Sequence, residues 1–113
     1  MPTIRASALR DLVRDIFVAT GCSDAEGTQL AKSLVGANLT GHDSHGVVRV
    51  PRYVEWKAEG AFIAGRTVEI VRETPVIAVV DGKYGFGQTV APQAVSIGIK
   101  KAKAMGLSAI ALR

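Results

Sequence analysis

The sequence predicts an α/β fold: an N-terminal helical hairpin and a motif-bearing helix over residues 1–60, then a strand–helix–strand unit over residues 61–113 that belongs to a larger mixed sheet. Three observations carry this prediction. Apolar residues recur at helical spacing up to about residue 60, with Gly21, Gly41 and Gly60 as stop signals. The pattern then changes to short apolar runs, Val76-Ile77-Ala78-Val79-Val80 and Leu107 to Leu112. Between those runs lies a long alanine-rich stretch with helical character. At 113 residues and 48% apolar composition, the chain is long enough for one core and far from the composition of a disordered segment.

Taken in order, Thr3 to Ala6 reads as a short strand and Ser7 as an N-cap. Leu9, Leu12, Val13, Ile16 and Phe17 follow at i, i+3, i+4, i+7 and i+8, the signature of an amphipathic helix that Gly21 ends. Ser23-Asp24-Ala25-Glu26 reads as a capping box, in which a hydroxyl and a carboxylate three residues apart satisfy free backbone donors. The second helix buries Leu30, Ala31, Leu34 and Val35, with Ala37 at its margin, and Gly41 stops it. A third helix runs to about Glu59. Because proline fits a first turn and disrupts an interior, Pro51 leaves two starts open: near Val47, or at Ser44 with a kink. Val50 and Val54 pack inward, and Trp56 is assigned to the core before an interface.

After a loop from Ala61 to Arg66, Thr67 to Glu73 alternates polar and apolar residues as a half-buried strand does. Pro75 interrupts, and Val76 to Asp81 forms a second strand ended by Asp81-Gly82. Gly85-Phe86-Gly87 leads into a helix from about Gln88 to Met105, with Pro92 near its first turn and Gly106 as its stop. Leu107 to Leu112 is the last strand. Strand, helix and strand in this order suggest a crossover with two parallel strands, with mixed pairing as the alternative. Ala91, Ala94, Gly98 and Ala102 form a small-residue stripe that lets the helix lie close to a sheet.

The chemistry concentrates in Gly41-His42-Asp43-Ser44-His45-Gly46-Val47-Val48-Arg49-Val50-Pro51-Arg52-Tyr53. If Ser44 stands near a helix start, His45, Arg49 and Tyr53 fall at i, i+4 and i+8 and share one face. That face offers a titratable imidazole, a fixed cation and a phenol, which together suit a small carbonyl compound bearing a carboxylate. A capped helix start accounts for Asp43 and Ser44 equally well and is compatible with a chemical role. For His45 alone a structural role is the default; beside a hydroxyl at a helix start it can serve as proton donor or acceptor.

Other classes are poorly supported. The net charge of +4 is spread among acidic residues, and only Lys100, Lys101 and Lys103 cluster, at a helix end where cations favour the dipole; nucleic acid is not an expected partner. No apolar run is long enough to cross a bilayer, and the start lacks an apolar leader, so the expectation is a cytoplasmic chain without a membrane role. His42 and His45 lack a third histidine for a catalytic zinc, so no metal is expected. Lone Cys22 reads as a structural thiol. Gly82-Lys83-Tyr84-Gly85-Phe86-Gly87 suggests a phosphate loop, but Val90 stands where the third glycine of a dinucleotide fingerprint belongs, and the acidic ribose ligand is absent.

Asp43-Ser44-His45-Gly46-Val47, with Arg49, Tyr53 and Gly60 after it, resembles the N-terminal signature of the malate/L-lactate dehydrogenase family of NAD(P)-dependent oxidoreductases, whose fold is not Rossmann. The preceding hairpin, Asp81-Gly82 with Gly85 and Gly87, and the helix entering Lys101-Ala102-Lys103-Ala104-Met105-Gly106 extend the resemblance over essentially the whole chain. It implies reversible hydride transfer between NAD or NADP and a 2-hydroxy or 2-oxo acid such as malate or lactate; related members reduce cyclic imino acids or oxidise ureidoglycolate. On the matching positions His45 is the proton donor in reduction and acceptor in oxidation, and Ser44 orients or relays to it. Arg49 is the candidate for the substrate carboxylate and Tyr53 for the pocket wall, while the cofactor-binding residues stay unassigned. Family members are much longer, so the chain is expected to be an N-terminal fragment, with residues 61–113 beginning the cofactor-binding sheet. Uncovered apolar faces and strand edges make a homo-oligomer, a dimer first, the expected assembly. The alternative is a noncatalytic remnant acting only as an oligomerisation module.

Overall fold

The computed structural model describes residues 2–113. Its elements are α1 (Ala6–Ala19), α2 (Asp24–Leu39), two 3₁₀ turns (Asp43–His45 and Val47–Arg49), α3 (Val50–Ala58), β1 (Glu69–Glu73), β2 (Ile77–Asp81), α4 (Gly87–Met105) and β3 (Ala109–Leu112). This is the mixed α/β class expected from the sequence. The chain divides into two compact units, the first ending at Gly65 and the second running from Arg66 to Arg113.

In the first unit, Val13 and Phe17 of α1 pack with α2, whose Leu30, Ala31, Leu34 and Val35 are all buried. Ser23 Oγ accepts from Glu26 N–H at 3.1 Å, the hydroxyl half of the expected cap, a contact worth about 1 kcal/mol. Glu26 itself is buried, and its Oε1 accepts from Gly65 N–H at 2.9 Å, tying the start of α2 to the end of the unit. Lys57 Nζ donates to the Thr20 carbonyl and so ties α3 to the turn after α1. Tyr53, Trp56 and Phe62 form an aromatic group, with centroids 5.3 Å apart for Tyr53–Phe62 and 5.6 Å for Trp56–Phe62; Trp56 is half-buried, with the Arg52 guanidinium 4.8 Å from its ring centroid.

Four expectations for this unit are corrected. Residues 3–5 form no strand and Ala6 already belongs to α1; Ser7 lies within the helix, and Arg5 stands at the cap without a side-chain bond. Leu12 is 55% exposed, because the stripe facing α2 is narrower than the periodicity suggested. The third helix begins at Val50, later than either predicted start, so Pro51 falls in its first turn, where its missing N–H costs no helical bond.

In the second unit the sheet order is β1-β2-β3. β2 and β3 are parallel and joined through α4, whereas β1 pairs antiparallel with β2, with a register shift between Ile70 and Arg72. Ala78, Val80 and Ala94 form the centre of the core, with Val68, Ile97 and Ile110 against it. The small-residue stripe brings α4 close: a Cβ on Gly98 would lie 2.9 Å from Ile110 Cγ1, and Ser108 Oγ donates to the Gly98 carbonyl at 2.8 Å. β1 is exposed along its whole length rather than half-buried, since neither of its faces is packed over within the unit. Pro92 lies in the second turn of α4 rather than the first, and the last strand starts at Ala109 rather than Leu107.

Two further features of this unit bear on function. Gly82 to Gly85 closes with Gly85 N–H donating to the Gly82 carbonyl at 2.9 Å, and Lys83 and Tyr84 both adopt left-handed φ values of 51° and 61°. Beside β3, Ala91, Val95, Gly98, Ile99, Ile110 and Leu112 line an open apolar groove of about 470 Å³. Among the described residues, no helix is long and apolar enough to cross a membrane.

Candidate functional site

The site lies where α2 ends. Gly41, at φ +83°, breaks the helical path, and His42 N–H reaches back to the Ala37 carbonyl at 2.8 Å. The first 3₁₀ turn, Asp43–His45, is closed by His45 N–H to the His42 carbonyl and Gly46 N–H to the Asp43 carbonyl. Gly46 then extends the backbone (φ −92°, ψ −150°) before the second turn leads into α3. The shared helical face expected of His45, Arg49 and Tyr53 therefore does not form, because no single helix carries all three.

What the turns do bring together is Ser44, His45 and Arg49. Ser44 Oγ lies 3.0 Å from His45 Nδ1, and Arg49 Nε donates to the Ser44 carbonyl at 2.7 Å. Arg49 bends back over the turn, and its two Nη groups have no carboxylate partner among the described residues. Ser44, His45 and Arg49 are all exposed. With Nδ1 engaged by Ser44, Nε2 is the ring position free to exchange a proton with a ligand. The His42 ring stands edge-on to that of His45 at 6.3 Å. Tyr53 belongs instead to the aromatic group, 6.4 Å from Phe17 between ring centroids, and is half-buried.

Asn38, in the last turn of α2, is a residue that the sequence reading overlooked. Its Nδ2 donates to Asp43 Oδ1 at 2.8 Å and its Oδ1 accepts from Val47 N–H at 2.9 Å. The available signal was an asparagine, a poor helix former, placed one turn before a chemically dense loop. Asn38, Asp43, Ser44, Val47 and Val48 flank an open cavity of about 500 Å³ beside the first turn.

The glycine-rich loop does not fit a dinucleotide cradle. A Cβ at Gly85 would stand 2.6 Å from Val90 Cγ1 and 2.9 Å from Arg66 Cβ, and one at Gly82 would meet Val90 Cγ2 at 3.1 Å. These glycines make room for the protein's own packing, not for an approaching pyrophosphate. Among the described residues no three metal-ligating side chains converge. Cys22 is buried, and burial raises its thiol pKa, which keeps it protonated and unreactive near neutrality.

The malate/L-lactate dehydrogenase family model matches residues 4–113. Hydroxycarboxylate dehydrogenase B of Escherichia coli O157:H7 is 36% identical over 107 residues, covering 95% of this chain and 30% of that protein. The solved sulfolactate dehydrogenase of Methanocaldococcus jannaschii superposes with a TM-score of 0.90 at 33% identity, over 97% of this chain and 32% of its own. The malate dehydrogenase of Pyrococcus horikoshii OT3 gives a TM-score of 0.90 at 30% identity, over 96% and 31%. The chain thus spans about a third of the length of the relatives it matches.

Proposed function

The chain belongs to the malate/L-lactate dehydrogenase family, and from that premise we propose that it contributes the proton-handling part of an oxidoreductase interconverting 2-hydroxy and 2-oxo acids, malate and lactate among them, with NAD or NADP as the hydride partner. The observation that supports this most is the Ser44–His45 pair with Arg49 folded over it. The nicotinamide cofactor, when bound, gives or takes the hydride at the substrate carbon. In the direction of reduction, His45 as imidazolium releases the Nε2 proton to the carbonyl oxygen; in oxidation the neutral ring accepts it back at Nε2. Both directions require Nδ1–H to donate and Ser44 Oγ to accept, with the hydroxyl proton turned away from the ring. The free Nη pair of Arg49 takes the substrate carboxylate in two parallel bonds, and Tyr53, held by its aromatic neighbours, serves as a rigid wall.

On this reading the chain is one part of a larger dehydrogenase, in which residues 61–113 begin the cofactor-binding sheet. The enzyme works as a homodimer in the cytoplasm, where nicotinamide pools are held. The test follows oxidation of NADH and of NADPH with a panel of 2-oxo acids. His45→Ala is expected to lower turnover by about 10²–10⁴-fold, the usual worth of a positioned acid–base group. An unchanged rate would remove His45 from the mechanism.

A second reading, a noncatalytic module that assembles with another copy of itself, is favoured by one observation: the open apolar groove beside β3.

A further inference from the structure

We propose that Asn38 is the positioning residue of this site, setting the tautomer and direction of His45 from α2; the proposal rests on His45 being the proton carrier. Its two polar ends bracket the tripeptide Ser44-His45-Gly46. Nδ2 holds Asp43, the residue before it, and Oδ1 holds the N–H of Val47, the residue after it. The anchor is firm, because α2 is fixed one turn earlier by the fully buried Leu34 and Val35. The amide also fills the space beside Gly46. A Cβ there would lie 2.1 Å from Asn38 Oδ1 and 2.5 Å from Cγ, so the absence of a side chain at residue 46 and the presence of one at residue 38 form a single fitted contact.

The chemistry explains why an amide occupies this position. It must donate to a carboxylate and accept from a backbone N–H at the same time, which only Asn at this length can do. An aspartate would set two carboxylates 2.8 Å apart, and an apolar residue would leave both partners unmatched. The directionality of the pair is reversible, however. With Asp at 38 and Asn at 43, the amide of residue 43 would donate to residue 38, and residue 38 would still accept from Val47 N–H.

That reversal provides the test, read on the full chain by ¹⁵N NMR of the His45 ring nitrogens, which separates the Nδ1–H from the Nε2–H tautomer. The wild type is expected to favour Nδ1–H. Asn38→Ala and Asn38→Asp should each shift His45 toward the mixture of a free imidazole, by about threefold or more in the tautomer ratio. Adding Asp43→Asn to Asn38→Asp should restore the ratio to within about twofold. A His45 ratio unmoved by Asn38→Ala, or an Asn38→Asp defect that Asp43→Asn does not repair, overturns the proposal; if Asn38→Ala does not fold, the reversed pair alone decides. Neither readout requires turnover, so failure of the dehydrogenase reading would appear separately, in the nicotinamide assay.

Discussion

In the first unit Phe17, Leu30, Leu34 and Val35 are enclosed to within 1% of full burial, whereas in the second Val95, Ile99 and Leu107 remain 50–66% exposed. The helices α1 and α2 of the first unit bury their facing residues against each other, and the residues proposed to carry its chemistry are polar groups on turns at its surface. The second unit has a sheet with two unlike edges. β1 is guarded by ion pairs, Lys83 to Glu69 at 2.5 Å and Lys101 to Glu73 at 2.7 Å, and by its register shift. β3 carries Ala109 to Leu112, with no charge and an apolar groove alongside. Natural sheets blunt exposed edges with charge and irregularity, and here one edge follows that rule while the other does not. The difference teaches where each unit leaves its surface open: the first at polar residues on turns beside a closed helical core, the second at an apolar groove along an unguarded edge strand.

The most severe way to challenge this contrast is Phe17→Ala. Removing a fully buried ring should cost about 3–5 kcal/mol and strip amide protection from the first unit, as hydrogen exchange would show. Protection at Ala78 and Val80 is expected to survive; simultaneous loss would mean that the two units stand or fall together. Gly98→Ala is milder. The new methyl collides with Ile110, and although alanine is the better helix former, a net loss of about 1–2 kcal/mol is expected in chemical denaturation. No loss would show that α4 can lift away from β3 at little cost. The smallest change in stability, within about 0.5 kcal/mol, belongs to Ile99→Lys on the exposed face of α4. Its effect should appear in sedimentation instead, as weaker self-association, and an unaltered oligomer would take the groove out of the contact.

Much of the architecture was legible because it depends on local rules. Glycine stops and apolar spacing located α1 and α2 to within a residue or two, and the alanine–glycine stripe announced a close helix–sheet contact. The start of α3 was harder to place because Gly46 and Pro51 compete: one extends the backbone, the other forbids a helix interior four residues upstream. β1 was misjudged because alternation implies a covering layer, and within the second unit its faces have none. In the site, the Ser44–His45 pair joins chain neighbours and was visible as a motif. The return of Arg49 to a backbone carbonyl and the double contact of Asn38 depend on the turn conformation, which no residue pattern encodes directly.

The turn at Lys83 and Tyr84 has a consequence for what variation at these positions would reveal. A two-residue turn with both φ values positive is the geometry that Asn-Gly adopts with least strain, and bulky side chains there cost about 1–3 kcal/mol each. Lysine and tyrosine therefore stand against the local preference of the backbone, one paired with Glu69 and the other 77% exposed. A randomised library sorted only for resistance to unfolding would drift toward Asn-Gly at these two sites. One sorted for the work of the protein would keep whichever of the two side chains that work requires, so the divergence between the two pools measures what the strain is for.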